Sequence, residues 1–526
     1  MDPHPPTPKV ESNKFSWLEE IESVTAACGR LVTGGENPRV LLVSRWSNIG
    51  DEVNGPITGV RSGGVERLQG LTETAGLPLR KGLAYLMRRI GDRSLSCNRF
   101  RLTALCIFIF SLSGCAATKS VQTAPPFPGH HEKEIERNRF PVARGEDVIG
   151  RLAVIRLEKG DTLPDIARHF SLGINAISAA NPGVDVWVPE AGERVLLPLS
   201  FILPDTPRKG IVVNLATKRL FQYKDKGDGT SLLVATYPIG IGTDERPTPT
   251  GQMHVARKAA RPTWHVPASI AEDHRKKGDI LPKAVPPGPE NPLGEYALYL
   301  SKSGYLIHGT NKPASIGLTA TNGCLRLYPE NVKLLFDDTP VKTPVLIVNQ
   351  PYLIGQHNGV LYLEAHAPPE ASGALESERL HKKLRTIEKK ARRTLDWKKV
   401  KEVLAEARGI PVPISELSQG SQKEVAKPVE VEHPERLYGK PEIPALNLLA
   451  WYLLAADVPD KIEAQRLAAI INHQGPQIPA RVFQKSDRYR VIAGPFDDGS
   501  EAKKAAKRLK IDLDIDSIVI EPDKKG

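Results

Sequence analysis

Five cysteines fall at Cys28, Cys97, Cys106, Cys115 and Cys324, four of them before residue 116. So few in 526 residues exclude a disulfide-built scaffold, and the folding is left to ordinary apolar cores. At roughly 150 residues per domain the length allows three or four of them. Residues AVILMFWYC make up 40% and aromatics only 6%, with 43 Gly and 45 Pro, so part of the chain is linker. The net charge of +11, from 72 Lys+Arg and 61 Asp+Glu, suits nucleic acid, phospholipid or a polyanionic wall equally and selects none of them.

The clustering of four cysteines near the start has a local cause. Met87-Arg-Arg-Ile-Gly-Asp-Arg93 is basic, and an apolar run from Leu102 to Leu112 follows. Crossing a bilayer takes about 20 residues, so this shorter run reads as a secretory signal peptide over 87–114. It ends in Leu112-Ser113-Gly114-Cys115, which resembles the lipobox of bacterial lipoproteins. The resemblance implies cleavage before Cys115, a lipid on that cysteine and, with Ala116 rather than Asp next to it, a periplasmic protein held at the outer membrane. Residues 1–86 stand in front of a segment that belongs at an N-terminus. Translation is therefore expected to begin at Met87, with a genuine 86-residue extension as the other reading. After cleavage two cysteines remain, one for lipid and one, Cys324, a lone thiol in an oxidising compartment, and catalysis is a reason for its presence.

Residues 115–151 are polar and Pro-rich and read as a tether, in which His130-His131 are solvated rather than metal-binding. Over 152–200 a strand near Val154 turns at Gly160-Asp161 into a helix capped by Asp161 or Thr162. A second helix over Ile174–Ala180 ends at Asn181-Pro182-Gly183, and a strand follows at Arg194. The residues alone give a small α+β domain. The Gly-Asp-Thr-Leu and Asn-Pro-Gly marks resemble a LysM module, which implies binding to N-acetylglucosamine-containing glycan strands.

Over 208–350 the strands expected are Ile211–Leu215, Arg219–Tyr223, Leu232–Tyr237 and Val345–Val348, with a hairpin turn at Gly227-Asp228-Gly229. Gly240-Ile-Gly242 lacks the third glycine and the helix of a dinucleotide loop. The chemistry-bearing residues are His308-Gly309-Thr310 and, sixteen positions after the histidine, Thr321-Asn322-Gly323-Cys324-Leu325-Arg326. A cysteine attacks as its thiolate, so it needs a base, which His308 supplies, and a positive surround, to which Arg326 contributes. Gly309 and Gly323 allow close approach to the backbone, and amides around Cys324 could hold an oxyanion. On these residues alone a Cys/His pair and a buried structural cysteine both stand.

These residues, with Ser315-Ile316-Gly317 and Thr248-Pro249-Thr250-Gly251, resemble the signature of the L,D-transpeptidases of the YkuD type. The resemblance implies a β-sandwich catalytic domain, mainly β, without cofactor or metal. It implies that Cys324 attacks the carbonyl of the third stem-peptide residue of peptidoglycan, meso-diaminopimelate, expelling D-alanine. His308 is then general base and acid with its ring oriented by the Gly309 carbonyl, and Gly309, Gly323, Arg326 and Thr321 are its supporting or oxyanion neighbours. The chain departs from the family at Asn322, where a histidine is common; Asn takes no proton near neutral pH, which leaves His308 alone for acid–base work.

Leu380, Leu384, Ile387, Ala391 and Leu395 recur at helical spacing in a stretch whose charge is +6, twelve Lys/Arg against six Asp/Glu over 375–409. A basic helix against an anionic surface and an amphipathic helix packed on the catalytic domain are both consistent with it. Residues 410–438 read as linker. Over 440–522 the order is βαββαβ, with strands over Leu446–Leu454, Ala480–Phe483, Tyr489–Phe496 and Ser517–Ile520 and helices over 460–473 and 498–510. This ferredoxin-like pattern around Arg490-Val-Ile-Ala-Gly-Pro-Phe496 resembles a SPOR domain, which implies binding to glycan strands stripped of stem peptides. Asp512-Leu-Asp-Ile-Asp516 lacks a calcium-loop glycine and reads as a strand entry. The reading is multidomain: an L,D-transpeptidase between two wall-binding modules, with peptidoglycan and a membrane as partners and no nucleic acid. The acceptor amine is another stem peptide or a lysine of an outer-membrane lipoprotein. Hydrolysis with water as acceptor, and a non-catalytic wall-binding lipoprotein, are the alternatives.

Overall fold

A computed structural model of the chain describes residues 135–225, 231–368, 373–392, 394–415 and 427–522. Residues 1–86, the signal over 87–114, Cys115, the tether up to 134 and the Gly227–Gly229 turn lie outside the described residues. Among the described residues no helix is long and apolar enough to cross a membrane.

Strand β1 (Arg139–Ala143) alternates outward and inward residues, burying Phe140 and Val142. Next come β2 (Ala153–Arg156), α1 (Leu163–His169), α2 (Ile174–Ala180) and β3 (Arg194–Leu197), in the strand, helix, helix, strand order expected. β2 and β3 pair antiparallel with Ala153 opposite Leu197. Thr162 caps α1, its hydroxyl accepting from the Asp165 amide at 3.2 Å. Asp161 is instead buried and paired with His433 and Lys440. This unit has no separate core: Phe170 and Leu172 share one buried cluster with Phe221 and Val234 of the large sheet. The join is made by backbone as well, the Ile174 amide donating to the Ile316 carbonyl at 3.0 Å. Gly317, at φ +97°, has Ile174 N only 2.6 Å from where a Cβ would stand, so no side chain fits there.

The region over 208–350 carries β4 (Gly210–Asn214), β5 (Arg219–Asp225), β6 (Ser231–Pro238) and β7 (Gly251–Ala260), then α3 (Ala268–Lys276). After α3 come β8 (Tyr296–Leu300), β9 (Leu306–His308), β10 (Leu325–Arg326), α4 (Pro329–Asp338) and β11 (Pro344–Val348). The expected strands are present, and β7 to β10 add to them. Among the described residues they form one nine-stranded sheet, ordered β1-β6-β5-β4-β11-β7-β8-β9-β10. The sheet turns at β7, whose early residues pair with β11 and whose later ones pair with β8. The register shifts between Val255 and Arg257, and such a bulge bends a strand. Side chains from both halves, Ile211 and Leu220 with Leu298, Ile307 and Leu325, meet in one buried cluster together with Val332 and Leu335 of α4.

The single basic helix expected over 375–409 is two, α5 (Gly373–Ala391) and α6 (Trp397–Glu406). Asp396 interrupts the run by capping α6, accepting from the Lys399 amide at 2.9 Å. Leu380, Leu384, Val400 and Val403 pack on Leu361 and Leu363 of a small sheet formed by Tyr352–His357, Val360–Ala365 and Val412–Pro413. The expected linker is also partly structured, since Val429–Val431 joins β2 in parallel.

The C-terminal unit is β12 (Trp451–Val458), α7 (Lys461–Asn472), β13 (Ala480–Lys485), β14 (Arg488–Phe496), α8 (Gly499–Leu513) and β15 (Ile518–Ile520). Its sheet order, β13-β14-β12-β15, is the ferredoxin-like one. The first strand begins later than expected, at Trp451 opposite Phe496, because β14 offers no partner beyond that residue. Leu446, Leu448 and Leu449 therefore stay exposed outside the sheet.

Candidate active site

β9 and β10 pair in parallel, with Ile307 opposite Leu325 and His308 opposite Arg326. Carrying that register back one residue sets Cys324 beside Leu306, diagonal to His308, and side chains two positions apart share a face. Cys324 is a half-buried free thiol. It donates to the Gly304 carbonyl at 3.6 Å, and the Leu306 amide faces its sulfur. Burial pushes the thiol above its ordinary range, and the Leu306 amide and Arg326 offset this only in part.

His308 is buried, and its Nδ1 lies 2.6 Å from the Gly309 carbonyl. A carbonyl can only accept, so Nδ1 carries the proton and the Nε2 lone pair is the one left to act as a base. Burial, followed by Arg326, pushes the imidazole down to about 3, against the pull of the Gly309 and Leu293 carbonyls. Thiol and imidazole are therefore both neutral near pH 7. The positive surround expected from Arg326 does not overcome the desolvation of a buried thiolate.

The loop between Thr321 and Cys324 is shaped by hydroxyls. Thr321 Oγ1 accepts from the Gly323 amide at 3.2 Å and donates to the Cys324 carbonyl at 2.7 Å. Thr248 Oγ1, buried behind it, accepts from the Gly242 amide and donates to the Gly323 carbonyl, both at 3.0 Å. Gly323 has φ +95°, and a Cβ on it would stand 2.8 Å from the Tyr305 ring. These bonds revise the oxyanion reading. The Gly323 amide is taken by Thr321 and the Gly309 amide donates to the Tyr296 carbonyl at 3.1 Å, so Gly309 acts through its carbonyl and Gly323 through its conformation. Arg326 donates from Nη1 to Ser315 Oγ at 3.4 Å, and its buried Nε has no partner among the described residues. Buried Arg326 thus keeps an unpartnered donor while acting electrostatically on the Cys324 sulfur.

Asn322 is exposed, and its Oδ1 accepts from Arg246, whose other nitrogen pairs with Asp273 of α3 at 2.6 Å. The position where a histidine is common is thereby tied to α3 rather than to the thiol. Thr248, Gly242, Arg246 and Tyr305 were not given roles by sequence reasoning. Thr248 sits in the Thr-Pro-Thr-Gly run and Gly242 in the Gly-Ile-Gly run, so two of the four carried a signal. Among the described residues no group of three or more His, Cys, Asp or Glu is gathered for a metal.

The family model of the L,D-transpeptidase catalytic domain, YkuD, matches residues 208–347, and that of the SPOR domain matches residues 450–521. The chain is 38% identical over 281 residues to the "Probable L,D-transpeptidase ErfK/SrfK" of Salmonella typhimurium, covering 52% of this chain and 89% of that protein. It is 40% identical over 228 residues to the "Probable L,D-transpeptidase YbiS" of Escherichia coli, covering 43% of this chain and 73% of that one. A protein of Bacillus licheniformis named for YkuD is 31% identical over 196 residues, 37% of this chain and 99% of its own length. Identities of 38% over 89% of one relative and 31% over 99% of another, in a domain that sets His308 and Cys324 at adjoining strands, place the chain in the L,D-transpeptidase family.

Proposed function

We propose that this L,D-transpeptidase works on peptidoglycan through Cys324 as nucleophile and His308 as general base and acid. The observation that supports it is the parallel β9–β10 pairing, whose register carried back one residue brings Cys324 diagonal to His308, together with the Nδ1 bond to the Gly309 carbonyl that leaves Nε2 as the basic nitrogen. With both groups neutral, ionisation of the thiol is coupled to attack. The proton leaves Sγ for His308 Nε2 as the sulfur–carbon bond forms at the carbonyl of the third stem residue, meso-diaminopimelate. Collapse breaks the amide bond to D-alanine, whose nitrogen takes that proton. An acceptor amine then attacks the thioester, giving up a proton to His308; a new amide forms and the thiol is restored. Arg326, charged and buried beside the sulfur, stabilises the negative charge that develops.

The residues around this centre are read as wall attachment. The βααβ unit over 152–200 is a LysM-like binder of glycan strands, and the C-terminal domain binds strands stripped of peptides. Cys115 carries a lipid that holds the enzyme in the periplasm at the outer membrane. The acceptor is a second stem peptide or a lysine of an outer-membrane lipoprotein.

Incubation of the purified protein with disaccharide-tetrapeptide decides the reaction. A cross-linked dimer with release of D-alanine, absent in Cys324→Ala, is expected. Tripeptide alone would mean hydrolysis, and products that persist in Cys324→Ala would remove the cysteine from the chemistry. The intact mass of the native protein tests the anchor, because an unlipidated N-terminus at Met1 or Met87 contradicts it.

A further inference from the structure

Between β7 and β8 the chain makes an excursion over residues 261–294 that contains α3, and its end lies against the catalytic histidine. The Leu293 carbonyl faces the His308 ring. Gly294, at φ +65°, packs so closely that a Cβ on it would stand 2.9 Å from the Thr310 amide nitrogen. Asn311 fastens the loop after His308 to the same excursion, donating to the Pro289 carbonyl at 3.2 Å. The position of the imidazole thus depends on two backbone segments, 289–294 and 309–312.

Both segments are held from outside by the C-terminal domain. Gly475, just past α7, meets the loop backbone to backbone: a Cβ there would overlap the Asn311 carbonyl oxygen and lie 2.9 Å from the Lys312 Cα. No residue with a side chain fits that contact. From α8, Asp512 pairs with Lys312 at 3.0 Å, and Lys507 reaches Asp279 of the excursion at 3.1 Å. Asp279 also pairs with His274 of α3 at 2.9 Å, which ties the helix into the same contact. Arg508 faces Glu290 one position after Pro289.

We propose that the C-terminal domain is a positioning element of the active site, holding the 279–294 excursion and the 309–312 loop where they orient His308. Its seating then sets turnover at Cys324, apart from any grip it has on glycan. A wall anchor alone would leave the turnover of a small soluble substrate untouched, because such a substrate needs no anchoring. The inference rests on the transpeptidase reading of Cys324 and His308.

The test uses the full chain and soluble disaccharide-tetrapeptide, measuring kcat, KM and the melting temperature. Gly475→Val is expected to lower kcat by roughly tenfold or more with KM little changed, since misplaced chemistry rather than lost binding is the defect. Lys507→Glu, at an exposed pair, is expected to cost about fivefold or less in kcat. The reversed pair Lys507→Glu with Asp279→Lys is expected to turn over faster than Asp279→Lys alone, the lost His274 pair being common to both, which keeps the test open even where Gly475→Val does not fold. Parental kcat in Gly475→Val with an intact melt, or a reversed pair no faster than Asp279→Lys alone, would overturn the proposal. Absence of cross-linking by the parent chain would instead count against the transpeptidase reading.

Discussion

Desolvation acts on both Cys324 and His308, pushing the thiol up and the imidazole down, so that neither is charged before substrate arrives. Two consequences are measurable. The rate of Cys324 alkylation by iodoacetamide should still be climbing at alkaline pH, above the ordinary thiol range, and a plateau near neutral pH would contradict the neutral-pair reading. Because His308 is held down to about 3, kcat/KM should show no falling limb near the ordinary histidine value of about 6.5. A limb there, lost in no other histidine variant, would show the imidazole to be solvated. Thr248 is the other residue on which the loop turns: in Thr248→Val the Gly242 amide and the Gly323 carbonyl lose their partner. Each unpaired buried group costs about 1–3 kcal/mol, so a lower melting temperature and a loss of turnover are expected together. His308, Cys324 and Arg326 were legible because nucleophile, base and cation are distinct residue types. The direction of the pKa shifts was not, since burial depends on segments outside the motif, such as the excursion that brings the Leu293 carbonyl to the His308 ring.

At the scale of elements, periodicity was readable where one face meets one core. β4, β5, β6 and β11 carry β-branched or aromatic runs and were expected where they stand. β7 was not, because its alternation Gly251-Gln-Met-His-Val-Ala-Arg holds only two strongly apolar residues, Met253 and Val255, before the bulge. The α5–α6 pair shows the opposite failure: helical spacing ran on through Leu395, and only the Asp396 cap reveals the break. Leu384 is fully buried between these helices and their sheet while Lys382, Lys389 and Lys390 point outward. Leu384→Ala should therefore destabilise by about 2–5 kcal/mol. Replacing those three lysines by glutamine should leave the melting temperature within a degree or so of the parent, surface changes being worth about 0.5 kcal/mol or less. A thermal scan of the two variants checks it, and equal losses would show that the helices are held by charge rather than by packing.

At the scale of the molecule, what could not be read from the sequence is how the units meet, because the joining groups are scattered charged and polar residues with no period. Asp161 with His433 and Lys440, Asp165 with His473, and Arg168 with Glu330 link the βααβ unit to the segment after 427, to the cap of α7 and to α4. His169 lies among them, buried, its Nδ1 accepting from the Tyr438 amide at 2.9 Å. Burial, then Arg137 and His433, pushes this imidazole down to about 3. An unfolded histidine takes up its proton near pH 6.5, so between that value and about 3 the unfolded chain binds a proton that the folded chain refuses. Stability from this residue is complete above pH 6.5 or so and falls as the pH drops, and protonation would also cost the Tyr438 bond. The full chain should melt at a lower temperature near pH 5 than near pH 7.5, and His169→Gln, which cannot titrate, should show a smaller difference between the two although its melt at the higher pH is lower. The same difference in parent and variant would mean that acid acts elsewhere, on His308 or on the carboxylates, and that the junction at Tyr438 does not respond to pH.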